Sequence, residues 1–232
     1  MKRIFLLFAL FAFIASASAQ NIQTHYYFSD DRECIITTLE MFKPDKMGST
    51  YFFIDLAYGL PGMDFMNSAY FEISRSMKLG KTSPFEIHAE YNGGLGLFPS
   101  GENLGGFTIN NAWLTGLDYV WNAEDFSKGI TFQVLYKYIQ KKQSSFQLTT
   151  VWYMNFAKGK MTFTGFADFW KEDWDYDFNG IADSKYIFLT QPQLWFNANE
   201  HFSFGSEVEF ANNFAGVKGF KIRPTAAVKW TF

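Results

Sequence analysis

The chain of 232 residues contains one cysteine, Cys34, and after residue 14 it lacks any apolar run long enough for a membrane-spanning helix. A single cysteine cannot form an internal disulfide. A transmembrane helix needs about 20 consecutive apolar residues, so any part of this chain that crosses a membrane must do so with β-strands. Pro-rich, Ser-rich and highly charged linkers are also missing, which favours one domain.

Excess positive charge is missing too. The formal net charge is −3, and it becomes −5 when Lys2 and Arg3 are removed. Proteins that bind nucleic acid carry clustered positive charge, so we expect no nucleic-acid partner.

The N-terminus has the pattern of a secretory signal. Lys2 and Arg3 precede the apolar run 4–14, and the small residues Ala17, Ser18 and Ala19 follow. The run is too short for a membrane anchor, and no cysteine follows the small residues to carry a lipid. We therefore expect residues 1–19 to be a signal peptide and residues 20–232 to be the mature domain.

Aromatic residues are abundant, at 21% of the chain with 29 Phe, 12 Tyr and 7 Trp, although the mean hydropathy is only −0.11. Polar residues must therefore be interleaved with the rings. The C-terminal segment shows this most clearly, because residues 220–232 alternate between apolar and polar. The apolar series is Phe220, Ile222, Pro224, Ala226, Val228, Trp230 and Phe232. Successive side chains of a strand point to opposite faces, so this segment separates an apolar surface from a polar, basic one.

The same alternation recurs upstream and predicts about twelve strands between turn signals. The predicted ranges are 22–28, 33–42, 48–58, 69–78, 84–92, 107–121, 130–140, 145–157, 160–171, 185–197, 202–211 and 220–232. An even number suits a bacterial barrel with both termini on the periplasmic side, and the longest predicted outer loops are 59–68, 93–106 and 172–184. Lipid offers the backbone no hydrogen-bond partners, so such a sheet must close on itself. The sequence predicts an all-β fold, a closed antiparallel transmembrane β-barrel.

A soluble β-sandwich is the competing fold, because alternation alone does not tell which face is inside. The signal peptide, the number of rings and the terminal Phe232 favour the barrel. A C-terminal aromatic residue resembles the signal by which outer-membrane barrels are recognised for assembly. Residues predicted to form the interfacial aromatic girdles are Trp113, Tyr119, Trp121, Trp152, Trp195 and Trp230. Arg75 on an apolar register and Phe166 and Trp170 on a polar one do not fit, and bulges or shifted boundaries would explain them.

Three stretches resemble the Tsx-type nucleoside channels, and more closely an uncharacterised outer-membrane family grouped with them. The first is residues 39–55, LEMFKPDKMGSTYFFID, a strand, a turn and a strand with an acidic residue on each arm. The others are residues 88–94, HAEYNGG, and residues 111–119, NAWLTGLDY. The likeness extends in layout over most of the mature chain. It implies passive uptake of small polar solutes, with nucleosides as the leading candidates.

The strand register also predicts which side chains face the lumen. The candidate solute-binding residues are Glu40, Tyr51, Phe53, Asp55, His88, Glu90, Asp118, Tyr153, Asp168 and Arg223. Aromatic faces would stack on a nucleobase while nearby carboxylates bond to ribose hydroxyls. The alternative is that these residues fill a narrow barrel with ion pairs and packed rings.

One predicted outer loop resembles part of a calcium-binding loop. From Asp175 the chain follows D-x-D-x-N-G-x-x-D, and the candidate metal ligands are Asp175, Asp177, Asn179 and Asp183. The twelfth position is Tyr186 instead of the bidentate Glu. An acidic loop stabilised by Asx turns is therefore the alternative to a Ca²⁺ site, and no other cofactor is expected.

Catalysis is not expected. His25, His88 and His201 are the only histidines, and neither of the two that could face the lumen, His25 and His88, has a recognisable serine partner by spacing. The sequence as a whole predicts a monomeric channel of the bacterial outer membrane, with membrane lipid, small polar solutes and the barrel-assembly machinery as its partners. A non-conducting barrel with a structural or adhesion role through its extracellular loops is the alternative.

Overall fold

The computed structural model describes residues 20–59, 65–100, 103–176 and 180–232, so the predicted signal peptide lies outside the described residues. Within them the chain forms thirteen β-strands. They are β1 Gln20–Ser29, β2 Arg32–Asp45, β3 Gly48–Tyr58, β4 Met66–Lys78, β5 Phe85–Ser100, β6 Asn103–Asn122, β7 Lys128–Ile139, β8 Ser145–Phe156, β9 Met161–Trp174, β10 Ser184–Thr190, β11 Gln193–Asn197, β12 Phe202–Asn212 and β13 Phe220–Thr231. In the same residues no helix is long and apolar enough to cross a membrane.

The strands form one closed antiparallel sheet. Each strand from β1 to β9 pairs with the next, and β1 pairs with β13 to close the ring. The segments β10 and β11 both pair with β9 and β12. Their register is continuous, since Thr190 lies opposite Ala167 and Gln193 lies opposite Thr164. The two segments therefore cross the sheet as one strand, and the predicted fold class, a twelve-stranded barrel, is confirmed.

Pro192 explains why that strand is interrupted. Proline has no N–H to donate to a ladder, so the pairing is broken locally. The neighbouring backbone groups still pair, because Gln191 N donates to Phe166 O at 3.2 Å and Val208 N donates to Pro192 O at 3.1 Å. The barrel consequently stays closed at this point.

The two faces of the sheet have the opposite polarity to those of a soluble protein. Large apolar side chains such as Ile73, Leu117 and Val134 are exposed on the exterior, whereas polar and charged groups such as His88 and Arg223 are buried inside. A band of exposed apolar residues around a closed sheet fits a lipid environment. The prediction that parity sorts the side chains between lipid and lumen is therefore confirmed.

The prediction of an outer loop at residues 93–106 was wrong over most of that range. Strands β5 and β6 continue through it as a long hairpin, in which Leu95 lies opposite Thr108 and Ser100 lies opposite Asn103. The glycines at 93, 94, 96, 105 and 106 suggested a loop because glycine is common in turns. Here they stand in paired strands, as at Gly94, where a Cβ would lie 2.4 Å from the Ala69 carbonyl oxygen.

Trp195 was also assigned to the wrong face. It is fully buried in the lumen, whereas Trp113, Trp121 and Trp230 are exposed on the exterior as predicted. Leu194, Trp195 and Phe196 are three consecutive apolar residues. Alternation therefore carried no information about which of them points inward.

The three residues that did not fit the alternation need neither bulges nor shifted boundaries. Phe166 and Trp170 lie in an unbroken register with β8 and face the lumen, where they pack with Ile187, Leu189 and Ala211. An internal apolar cluster therefore occupies part of the polar face of β9.

Arg75 does face outward, at the predicted periplasmic end of β4. Its guanidinium donates to Asp45 Oδ2 at 2.6 Å and to Thr50 Oγ1 at 3.0 Å. A cation on the apolar register is tolerated there because it is paired at the edge of the barrel.

Candidate functional site

The lumen has two kinds of surface. On the first, which we call the open surface, the side chains are half-buried or exposed although they point inward. It comprises Thr38, Glu40, Tyr51, Phe53, Asp55, Tyr70, Glu72 and Ser74 on β2–β4, and Val151, Tyr153, Thr162, Thr164, Phe166 and Asp168 on β8–β9. The second, the packed surface, is almost fully buried. It comprises Glu86, His88, Leu114, Asp118, Leu135 and Lys137 on β5–β7, and His25, Tyr27, Glu207, Glu209, Arg223 and Thr225 on β1, β12 and β13.

The two parts of the open surface lie on different sides of the ring. Strands β5–β7 separate them along one arc, and β10–β13 with β1 separate them along the other. Because the sheet is closed and both parts point inward, they face each other across the lumen.

Four of the predicted site residues are brought together on β2 and β3. Glu40 lies directly opposite Phe53, and Tyr51 and Asp55 flank Phe53 on the same face. The Tyr51 and Phe53 rings have centroids 6.0 Å apart, and Tyr70 continues the row at 6.0 Å from Phe53. Tyr70 was not among the predicted site residues, although its parity on β4 places it inside. These residues form a wall of three rings bordered by carboxylates.

The carboxylates of this wall are held by neutral donors. Thr38 Oγ1 donates to Asp55 at 2.5 Å, and Gln23 Nε2 donates to Glu40 at 3.2 Å. On β4, the Tyr70 hydroxyl donates to Glu72 at 2.5 Å. Hydrogen bonds fix the orientation of these groups without neutralising their charge.

Asp168, a predicted site residue, is held in the same way on β9. It accepts a hydrogen bond from Thr149 Oγ1 at 2.6 Å, and that hydroxyl in turn accepts one from Gln147 Nε2 at 3.0 Å. Lys137 Nζ ends the chain of contacts by donating to Gln147 Oε1 at 2.6 Å, and it lies 4.4 Å from the centroid of the Trp170 ring.

His88, Glu90 and Asp118 meet in a second cluster. His88 is 2% exposed, with Nδ1 at 3.0 Å from Asp118 Oδ2 and Nε2 at 3.1 Å from Glu90 Oε2. Ser76, which sequence analysis missed, donates to Asp118 Oδ2 at 2.6 Å and lies 3.3 Å from His88 Nδ1. A Ser–His–Asp triad needs the serine and the aspartate on opposite nitrogens of the ring. Here both lie at Nδ1, so the cluster holds the imidazole in place and does not prepare a nucleophile.

A cluster of ion pairs at the predicted extracellular end, which we call the brace, contains Arg223, Glu209, Asp31 and Arg32. The Arg223 guanidinium pairs with Glu209, and its Nη2 donates to Asp31 Oδ2 at 2.7 Å. Arg32 also contacts Glu209, at 3.0 Å. The hydrogen bond from Arg223 lowers the pKa of the Asp31 carboxyl, which lies in the β1–β2 turn, below its usual value. The brace ties this turn to β12 and β13, so the contacts of Arg223 stabilise the barrel.

Tyr153 is not part of the aromatic wall. Its hydroxyl donates to Asn122 Oδ1 at 2.9 Å, at the last residue of β6. It therefore lies at the predicted periplasmic end of β8, apart from the Tyr51–Phe53 pair.

Lys229, Trp195 and His25 form a further lumen cluster that sequence analysis did not assign to the site. Lys229 Nζ lies 4.1 Å from the Trp195 ring centroid, and His25 meets the same ring edge-on at 5.8 Å. Lys229 also lines a recess of about 410 Å³ at the predicted periplasmic end, together with Lys158, Lys160 and Ser203.

The candidate calcium loop is described only in part, because Asp177 and Asn179 lie outside the described residues. Asp175 accepts a hydrogen bond from Gly180 N at 2.6 Å. Asp183 accepts one from Tyr176 N at 2.9 Å and pairs with Lys218 at 3.0 Å. In the part of the chain that is described, no group of His, Cys, Asp and Glu side chains is arranged to hold a metal. Calcium binding stays a prediction.

Comparison with known proteins identifies the family and the fold. The model of one family, described as "Domain of unknown function (DUF5020)", matches residues 19–232. The chain belongs to this family. No curated protein sequence matches it.

Two solved structures share the fold of this family member. The KdgM porin has a TM-score of 0.54 and 14% identity, over 91% of this chain and 99% of that one. The NanC porin has a TM-score of 0.58 and 10% identity, over 92% of this chain and 99% of that one. At these identities the likeness shows the fold alone. A porin-like barrel with an apolar exterior is an outer-membrane protein, as the sequence predicted. The likeness to Tsx-type channels, the monomeric state and the absence of catalysis stay predictions.

Proposed function

We propose that this protein is an outer-membrane channel for the passive uptake of small polar solutes, and that nucleosides are among them. The observation that carries the proposal is the open surface. Its side chains point into the barrel and yet remain accessible to water, whereas those of the packed surface are almost fully buried. A barrel filled by its own side chains would bury both surfaces alike.

The wall of three rings supports nucleosides as solutes. Tyr51, Phe53 and Tyr70 lie half-buried on the lumen face, and a nucleobase stacks on accessible rings of this kind. Asp55 and Glu40 lie beside the rings as fixed acceptors, which suits the hydroxyl donors of a ribose. A passive channel needs only weak binding of this kind, because a tightly bound solute would not leave.

Planar-bilayer recording of the purified protein tests the proposal. We expect a steady conductance that added nucleoside lowers reversibly. Phe53→Ala should weaken this block by roughly tenfold, since stacking of one base is worth about 1–3 kcal/mol. Phe132→Ala is the matched control, because this ring is exposed on the exterior. Conductance that nucleosides leave unchanged would contradict the nucleoside part of the proposal alone.

A non-conducting barrel is the second candidate, and the Arg223 brace favours it. Arg223 and Glu209 are each 1% exposed and fill the lumen beside the β1–β2 turn. In that case the protein would act in structure or adhesion through its outer loops. A correctly folded protein that inserts into bilayers and stays electrically silent would favour this candidate and contradict the channel.

A further inference from the structure

The charges of the lumen are distributed unevenly between its surfaces. Four carboxylates stand on the open surface, on strands β2, β3, β4 and β9. They are Glu40, Asp55, Glu72 and Asp168. Among the described residues none of them forms an ion pair, and each is held by a neutral hydroxyl or amide donor. No neighbouring cation among these residues neutralises their negative charge, which can therefore act on water and solutes in the lumen.

Cations on the same strands do not offset this charge. Within the described parts of β2–β4 and β8–β9, the basic side chains on the lumen register are Arg32 and Lys78, at the strand ends. Arg32 is bound to Glu209. Between the strand ends, the charged side chains on the described open surface are therefore all carboxylates.

Two lysines point into the lumen from strands outside the open surface, Lys137 on β7 and Lys229 on β13. Each ammonium group is placed over an indole ring, of Trp170 and of Trp195 respectively. Cation–π contacts hold these ammonium groups against the two indole rings. These two lysines are fewer than the four carboxylates, so they offset the negative charge of the open surface only in part.

We propose that the passage is selective for cations, and that Glu40, Asp55, Glu72 and Asp168 determine this selectivity. The inference rests on the proposed channel function and names the charge class of its solutes. Rings of Asp and Glu make pores selective for cations, because a cleft of one sign of charge with low-dielectric walls concentrates the opposite ion. Organic ammonium compounds and inorganic cations should pass more readily than anions, and uncharged solutes should be unaffected.

The reversal potential across a planar bilayer under a KCl gradient measures this property. We expect K⁺ to be preferred over Cl⁻ by on the order of tenfold, the lower end of the enrichment produced by charged clefts. Asp55→Asn and Asp168→Asn together should bring the ratio close to unity, because they remove one charge from each part of the open surface. Asp55→Asn alone should lower the ratio by a smaller factor. This single variant tests the inference if the double variant does not fold.

Glu124→Gln is the matched control. Glu124 is an exposed carboxylate in the β6–β7 turn, outside the lumen, so its removal should leave the ratio unchanged. A channel that conducts without preference, or prefers Cl⁻, would overturn the inference and leave the channel function standing. A ratio that the lumen variants do not change would also overturn it. A folded barrel that passes no current would overturn both proposals.

Discussion

The open and packed surfaces contain the same kinds of side chain in different surroundings. Both carry carboxylates, and both hold them with hydroxyl donors, as Thr38 holds Asp55 and Ser76 holds Asp118. Asp118 is 1% exposed and has His88 as a further partner, whereas Asp55 is half-buried and, within the described part of the chain, bonds to the hydroxyl alone. The packed surface therefore stabilises the barrel, and the open surface is the one that we propose to contact solutes.

Removal of the Arg223 guanidinium should produce the largest effect on stability. Arg223→Met leaves Glu209 without its closest partner in a buried position and frees Asp31. Loss of one member of a buried ion pair costs about 3–5 kcal/mol. We expect the urea midpoint of the purified barrel to fall accordingly. Arg75→Met, in the exposed pair with Asp45, should cost under about 1 kcal/mol. Equal losses of stability in the two variants would show that burial of the brace does not add to the stability of the barrel.

The two hydroxyl–carboxylate pairs allow a matched test with smaller effects. Ser76→Ala removes the donor to buried Asp118, and Thr38→Val removes the donor to half-buried Asp55. A hydrogen bond to a buried charged group is worth about 1.5–3 kcal/mol, and among the residues that the structure describes Asp118 keeps only His88 as a partner, whereas water can replace a lost donor at an accessible group. Unfolding in urea should therefore show a clear loss for Ser76→Ala and a loss under about 1 kcal/mol for Thr38→Val. The reverse order would contradict the assignment of the two surfaces.

The smallest expected effect is a pH dependence at the brace. Arg223 lowers the pKa of Asp31 in the folded barrel. The lowered pKa means that Asp31 contributes stability that is fully present above its unfolded-state pKa of about 3.9 and is lost as the pH falls through the folded value. Asp31→Asn should therefore narrow the difference in stability between neutral and acidic pH. An unchanged pH profile would show that the Asp31–Arg223 pair adds nothing to stability.

Much of the fold could be predicted from the sequence. The predicted strand 145–157 corresponds to β8, Ser145–Phe156, and the range 185–197 covers β10 and β11 as one strand. Alternation succeeded because one face meets lipid and the other meets water, so every strand carries the same contrast. It failed at residues 194–196, where the contrast disappears, and along β5 and β6, where glycine stands in paired strands.

The site could be predicted only as a list of inward-facing residues. Parity gives the face of a side chain but not its height or its neighbour across the lumen. The bond between Ser76 and Asp118 joins residues 42 positions apart, and the pair of Arg223 with Asp31 joins residues 192 positions apart. Such contacts depend on the stagger of the whole barrel, which no single strand encodes. This is why the sequence grouped Arg223 with Asp55, although only the latter is accessible.

Cysteine accessibility tests the central claim, that water reaches one surface of the lumen and not the other. In a Cys34→Ser background, Phe53→Cys and Thr164→Cys would report on the open surface, and Leu135→Cys and Ala211→Cys on buried lumen positions. We predict that a charged, water-soluble thiol reagent modifies the first two in the folded barrel and the last two only after unfolding. Equal modification of all four, or protection of all four, would contradict the account.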